Sequence, residues 1–225
     1  MNTRAEFFPS EFYHIFNQSN GREDLFRSNE NRRFFLSRFA TFMLPFCFIH
    51  SYALMSNHFH FSIEIKSKAD IYSYISNLSN SELSKRMHKF IATEDIDNVD
   101  NETFHLLICD QIKRFMTSYT RSFNNMYNRS GSLFRQKFKR SHFDPEVKFR
   151  YLQYYIHHNA RKHKIVDNFL DYKYHSYLEI VDDSSLIINR SKVLVWFDDL
   201  DDFISFHNAP HYEDLFKDID LDEFL

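Results

Sequence analysis

The sequence predicts an α+β fold built on an antiparallel sheet, with helices on one face and the other face open. Three observations carry this reading. In residues 58–65, HFHFSIEI, Phe59, Phe61, Ile63 and Ile65 fall on one side and His58, His60, Ser62 and Glu64 on the other, the period of a half-buried strand. Apolar stripes at helical spacing alternate with further strand-like runs, in the order strand, helix, strand, strand, helices, strand, helix. Glycine occurs only at Gly21 and Gly131, too few for the phosphate loops of P-loop or dinucleotide folds.

Residues 11–19, EFYHIFNQS, are rich in β-favouring side chains and read as the first strand, turned by Asn20-Gly21. Ser28 is a natural N-cap for a helix through about Phe42, which Pro45 ends. Residues 46–53 form a second strand. The short connection through residues 55–57 pairs it antiparallel with the histidine strand. A helix over residues 68–90 presents Ile71, Tyr74, Ile75, Leu78 and Leu83 on one stripe, and a polar, acidic loop fills residues 92–102. A second long helix over residues 104–127 buries Leu107, Ile108, Ile112, Phe115, Met116 and Tyr119. Gly131 breaks the chain after it. Residues 137–143, KFKRSHF, alternate and read as an exposed basic strand, with Phe138 turned inward. Asp144-Pro145 opens a last helix through about Lys162, with Pro145 at its first position.

The 225 residues, 43% of them apolar and 27 of them Phe, suffice for a single large core with an appended piece. Residues 1–177 are expected to form the domain, and 178–225 a helical, acidic C-terminal extension. Cys47 and Cys109 show no metal spacing, which fits a reduced, cytoplasmic protein better than a disulfide scaffold. The first residues, MNTRAEFF, carry no apolar signal segment. The apolar window at 39–55 is interrupted by Pro45 and His50 and is too short to span a bilayer. The net charge of −3 conceals a strong asymmetry. Residues 111–164 hold 13 Lys or Arg and two acids, whereas residues 167–225 hold 15 Asp or Glu and four Lys or Arg. A basic middle of this kind suits an anionic partner, although a charged helix face is often merely solvated.

Two imidazoles at i and i+2 on a strand point the same way, about 7 Å apart, and can converge on one metal ion. Such a pair is more often just polar and solvated, so a second constellation matters. The last helix supplies one. Tyr155 and Asn159 are i and i+4 there, with Tyr151 on the same face and Tyr154 beside it. Aromatic residues at this spacing are usually core, and the pattern does not choose among Tyr151, Tyr154 and Tyr155. Glu64 is either an outer ligand or, as is commoner for Glu, solvated. His157, His158 and His163 read as exposed or facing an anionic partner, and His50 as packed.

The motifs taken together resemble those of the single-tyrosine transposases of the HUH endonuclease class, most closely the REP-associated branch. YALMSNHFHFSIEI is similar to that family's Y-x-L-M-P-N-H-x-H segment. GSLFRQKFKR is similar to its G-x-L-[WF]-Q-x-R-[FY]-K segment, and YIHHNARKHKIV to its Y-I-H-x-N-P-V-[RK]-A-x-[LI]-V helix. YKYHSY and the N-terminal YHIFNQSNGREDLF match further blocks in the same order, and the resemblance runs from about Phe12 to Tyr177. Ser56 and Ala160 stand where the family has Pro, and Asp198-Asp199 where it has a Gly pair. These departures touch loop geometry and substrate choice rather than any chemical group.

The resemblance implies a ferredoxin-like, RRM-like sheet and single-stranded DNA with hairpin structure as the partner. It implies Tyr155 as nucleophile and His58, His60 and Asn159 as ligands of a divalent metal, Mg²⁺ or Mn²⁺. The expected reaction is cleavage and strand transfer through a 5′-phosphotyrosine link, by a monomer or a homodimer. From the residues themselves, Arg135, Lys137, Lys139 and Arg140, set around Phe134 and Phe138, are the candidate DNA-binding surface, since cations hold phosphates and aromatics stack on unpaired bases. Two other functions use the same residues: a domesticated protein that holds DNA hairpins without cutting, and a metal hydrolase that employs water instead of tyrosine.

Overall fold

The computed structural model describes residues 4–209 apart from 22, 94 and 136. The end of the acidic segment, 210–225, lies outside the described residues. Four strands, β1 (Phe12–Gln18), β2 (Cys47–Leu54), β3 (His58–Ile65) and β4 (Lys139–His142), form one sheet in the order β2-β3-β1-β4. Every neighbouring pair is antiparallel. Helix α1 (Asn29–Met43) links β1 to β2, and helices α2 (Lys68–Ser76), α3 (Lys85–Ile91) and α4 (Asn101–Met126) link β3 to β4. This is the ferredoxin-like β-α-β-β-α-β order with two extra short helices. Among the described residues no helix is long and apolar enough to cross a membrane.

The alternation in β3 settles which layer each side meets. Phe59 and Phe61 turn to α1 and α4, where Phe35, Phe39, Phe115 and Tyr119 are all buried. Phe39 and Phe61 stack with ring centroids 3.8 Å apart, and Phe35 meets Phe59 at 5.1 Å. Ser28 caps α1 by accepting the Asn31 N–H. Gly21 adopts φ +73 in the turn after β1, a conformation that a side chain disfavours. The connection between β2 and β3 is fastened from outside: the Ser19 N–H donates to Asn57 O at 2.8 Å and the Leu25 N–H to Ser56 O at 2.7 Å.

The second face is covered, not open. Helix α5 (Pro145–His157) crosses it, and Phe149, Leu152, Tyr154, Tyr155 and Ile156 are all buried. A helix apolar on most sides must be enclosed on most sides. The sheet covers one of them. The other is covered by the chain beyond 177, in α7 (Tyr177–Val181), α8 (Arg190–Leu194) and α9 (Leu200–Asn208). Phe197, Phe203 and Phe206 are buried in the same core as the sheet residues. Arg150 of α5 pairs with Asp202 of α9 at 2.8 Å, and Lys192 of α8 reaches Glu64 of β3 at 2.8 Å. Glu64, expected in solvent, is therefore ion-paired and largely covered; its carboxylate also lies 3.5 Å from the buried His50 ring.

Three elements differ in extent from the sequence expectation. The helix expected over residues 68–90 is two, α2 and α3, because a Ser- and Asn-rich stretch intervenes and Ser84 caps a new start. The basic strand is shortened to β4 because Lys137 takes φ +62, which takes it out of the strand conformation. The last helix breaks at His158 into α5 and α6 (Asn159–Lys162). The His158 ring is held there between Tyr154 and Phe169, at centroid distances of 3.9 and 4.0 Å, and its Nε2 meets His207 O at 3.0 Å. His157 and His158, expected on an exposed face, are both buried.

Candidate active site

His58 and His60 lie on the α5 side of β3, opposite Gln18 and Phe16 of β1, with small Ala53 of β2 beside His60. Their ring centroids stand 5.2 Å apart and the rings are nearly perpendicular. Both are buried, His60 completely. The break at His158 sets the first residue of α6, Asn159, over the sheet end, where its Oδ1 is 3.0 Å from His58 Nε2. One turn earlier, the Tyr155 ring meets His60 edge-on at 5.6 Å. Tyr151 and Tyr154 turn the other way: Tyr151 packs on Phe206 at 5.7 Å, and Tyr154 stacks on His158. Of the three tyrosines the sequence leaves open, Tyr155 is the one brought to the histidines. It is 2% exposed.

The hydrogen bonds of this cluster are incomplete in a telling way. His58 Nδ1 lies 2.8 Å from Asn57 Oδ1. A neutral imidazole has one N–H and here faces two acceptor oxygens; with the hydrogen on Nδ1, Nε2 turns a lone pair to the amide oxygen of Asn159. Two acceptors 3.0 Å apart repel unless a positive charge or a proton lies between them. Adjacent ligands about 2.1 Å from an octahedral ion stand about 3 Å apart. His60 Nε2 and Asn159 Nδ2 are buried with no hydrogen-bond partner among the described residues. Burial above all, then the neighbouring His14, His58, His163 and Lys162, holds His60 well below the usual imidazole range, so the ring is neutral and able to act as a ligand at neutral pH. No group of three His, Cys, Asp or Glu suited to a metal occurs among the described residues; the third donor here is an amide. The residues present thus fit a divalent cation bound by two imidazoles and one carbonyl oxygen.

Four neighbours were not visible as site residues in the sequence. His14 of β1 contacts His60 Nδ1 through its Nε2 at 2.9 Å. Gln153 of α5 donates from Nε2 to Ser62 Oγ at 3.1 Å, fastening the helix to the histidine strand. Lys162 Nζ stands 4.9 Å from the centre of the Tyr155 ring. His163 has its ring 5.1 Å from that of His58. The last two are exposed and edge the site. His163 follows Asn159 by four residues, a spacing that signals a shared face.

Three of the four basic candidates, Arg135, Lys137 and Arg140, line one groove, and Lys139 lies on the other side of the sheet. Lys139 borders the histidine face, its Nζ 5.6 Å from the Phe16 ring. Arg135 lies against Gln18 at the same sheet end, and Lys137 is exposed beside it. Arg140 points to the α4 side. Its Nε donates to Ala5 O at 2.6 Å, and its guanidinium stands 5.1 Å from the rings of both Phe7 and Phe138. A groove of 930 Å³ opens on that side between α4 and residues 129–140, away from Tyr155. Its described lining includes seven Lys or Arg and no Asp or Glu, over a floor that contains Met116, Phe134 and Phe138. Arg129, one of the seven, is paired with Glu23 at 2.6 Å.

A solved structure is similar to this chain. It is that of the REP-associated tyrosine transposase bound to a REP hairpin, with 12% sequence identity, 81% of this chain and 86% of that one covered, and a TM-score of 0.49. A likeness of that size lies in the course of the backbone and says nothing of side-chain chemistry. No protein-family model matches the sequence, and no curated protein matches it.

Proposed function

We propose that this protein is a metal-dependent transposase-type nuclease that cuts and rejoins single-stranded DNA at hairpins through Tyr155. The observation that carries the reading is the meeting of His58, His60, Asn159 and Tyr155 in one buried site. The hairpin substrate rests on the motif resemblance and on the basic surfaces. His58 Nε2, His60 Nε2 and Asn159 Oδ1 would hold the ion, Mg²⁺ or Mn²⁺, which when bound supplies Lewis-acid polarisation of the scissile phosphate.

The chain's own groups supply the rest. The Tyr155 phenol loses its proton and attacks phosphorus, forming a 5′-phosphotyrosine bond as the 3′-oxygen departs and takes up a proton. A free phenol ionises near pH ~10, and the ammonium of Lys162 beside the ring favours the phenolate. The phosphotyrosine bond keeps the energy of the phosphodiester, so the 3′-OH of a second strand can reverse the step without hydrolysis. Lys139 holds phosphate at the edge of the site, and Arg135, Lys137 and Arg140 line the groove that runs along α4. Lys162 and His163, both exposed, mark the side from which a strand approaches.

The burial of Tyr155 favours one alternative, a hairpin-binding protein that does not cut. One experiment separates the two. An end-labelled hairpin strand incubated with Mn²⁺ and the protein should give an adduct that survives denaturation and is removed by protease. Tyr155→Phe should give none while still binding the strand. Binding without adduct by the unaltered protein establishes the non-cutting alternative. Cleavage by the Phe variant overturns the assignment of Tyr155 and points to water as the nucleophile.

A further inference from the structure

His14 lies on β1, diagonally across from His60, since its strand neighbour Phe16 is the residue paired with His60. It is 1% exposed, stacked on Phe16 at 4.7 Å and met edge-on by Tyr155 at 6.0 Å, so its ring is held in place by packing. Its Nε2 is 2.9 Å from His60 Nδ1. One proton lies between these nitrogens, and its placement decides what His60 can do. If His14 donates, the neutral His60 ring carries its own hydrogen on Nε2, and no lone pair is left there. If His60 donates from Nδ1, its Nε2 is left bare. Only the second arrangement leaves His60 a ligand atom, and metal-binding histidines are commonly oriented by such a donated N–H.

We propose that His14 is a positioning residue that accepts the Nδ1–H of His60 and so keeps His60 Nε2 available as a metal donor. This role rests on the metal reading given above. The test is Mn²⁺ affinity, measured by calorimetry on the full-length protein, with circular dichroism as a check on folding. His14→Phe keeps the flat ring and removes the acceptor; His14→Gln replaces the acceptor with an amide oxygen. The expected result is Mn²⁺ binding about 10- to 100-fold weaker in the Phe variant and close to that of the unaltered protein in the Gln variant. Unchanged affinity in the Phe variant would overturn the proposal. So would equal loss in both variants, because packing rather than the acceptor would then be at work. If the unaltered protein takes up no Mn²⁺, the metal site itself fails and the role of His14 falls with it, a result distinct from either of the others.

Discussion

Lys162 is the cation nearest the proposed nucleophile for which a ring contact is seen, its Nζ 4.9 Å from the Tyr155 ring, and no carboxylate enters the electrostatics of the neighbouring His60. In the proposed reaction a positive charge there would stabilise the phenolate that develops during attack. Lys162→Met is expected to slow single-turnover adduct formation on the order of tenfold without weakening Mn²⁺ binding, since the lysine's charge opposes positive charge at His60. Asn159→Ala is expected to act on the metal instead, weakening Mn²⁺ binding in a calorimetric titration because one of the three proposed donors is gone. At this scale the sequence was readable wherever a pattern repeats. His58 and His60 stand out because the strand alternates around them. His14 does not, since a lone histidine inside FYHIFNQ looks like any polar residue in an aromatic strand. His157 was misread for a related reason: its partners, Ser176 Oγ at 3.0 Å and His207 Nε2 at 2.9 Å, come from 19 and 50 residues away.

Between α5 and α9 the packing is partly made of neutral histidines. His207 donates from Nδ1 to Phe203 O and accepts at Nε2 from His157. Burial, with lesser contributions from nearby groups, pushes His207 down from 6.5 to about 3 and His158 likewise to about 3. Both are neutral in the fold and take up a proton readily once unfolded. The stability they contribute is complete above pH 6.5 and is lost as pH falls from there toward 3, where the folded rings also charge. The melting temperature should therefore drop between pH 7 and pH 5, with a shallower slope for His207→Gln. An unchanged slope in that variant would remove His207 from the account. The strands and long helices were legible because their periods are strong. The covering of the second face was not, because Phe203, Phe206 and His207 sit at helical spacing inside a segment read as an acidic extension outside the domain. The break at His158 was also hidden: it depends on Phe169 and His207, not on any local breaker.

Across the whole molecule, two basic surfaces lie on opposite sides of the sheet. One borders the histidine face at Lys139; the other is the groove along α4, which Arg135 and Lys137 share with Lys113 and Arg121. Charge reversal at Lys137 and Lys139 is expected to weaken hairpin binding at low salt and to flatten its salt dependence by about one unit of slope per lost phosphate contact. The same measurement on Lys113→Glu with Arg121→Glu reports whether a bound strand also follows the groove; a fall in affinity and slope like that of the first pair is expected if it does. The charge asymmetry along the chain was readable from composition. Its division between two faces was not, because adjacent strand residues such as Lys139 and Arg140 point to opposite sides.

The central claim is spatial: two strand imidazoles and an amide at a helix break share one cation next to a phenol. Anomalous scattering from crystals grown with Mn²⁺ tests it most directly. The account predicts a peak bonded to His58 Nε2, His60 Nε2 and Asn159 Oδ1, beside Tyr155. A peak bound elsewhere, or none at a Mn²⁺ concentration that saturates binding in solution, would contradict it.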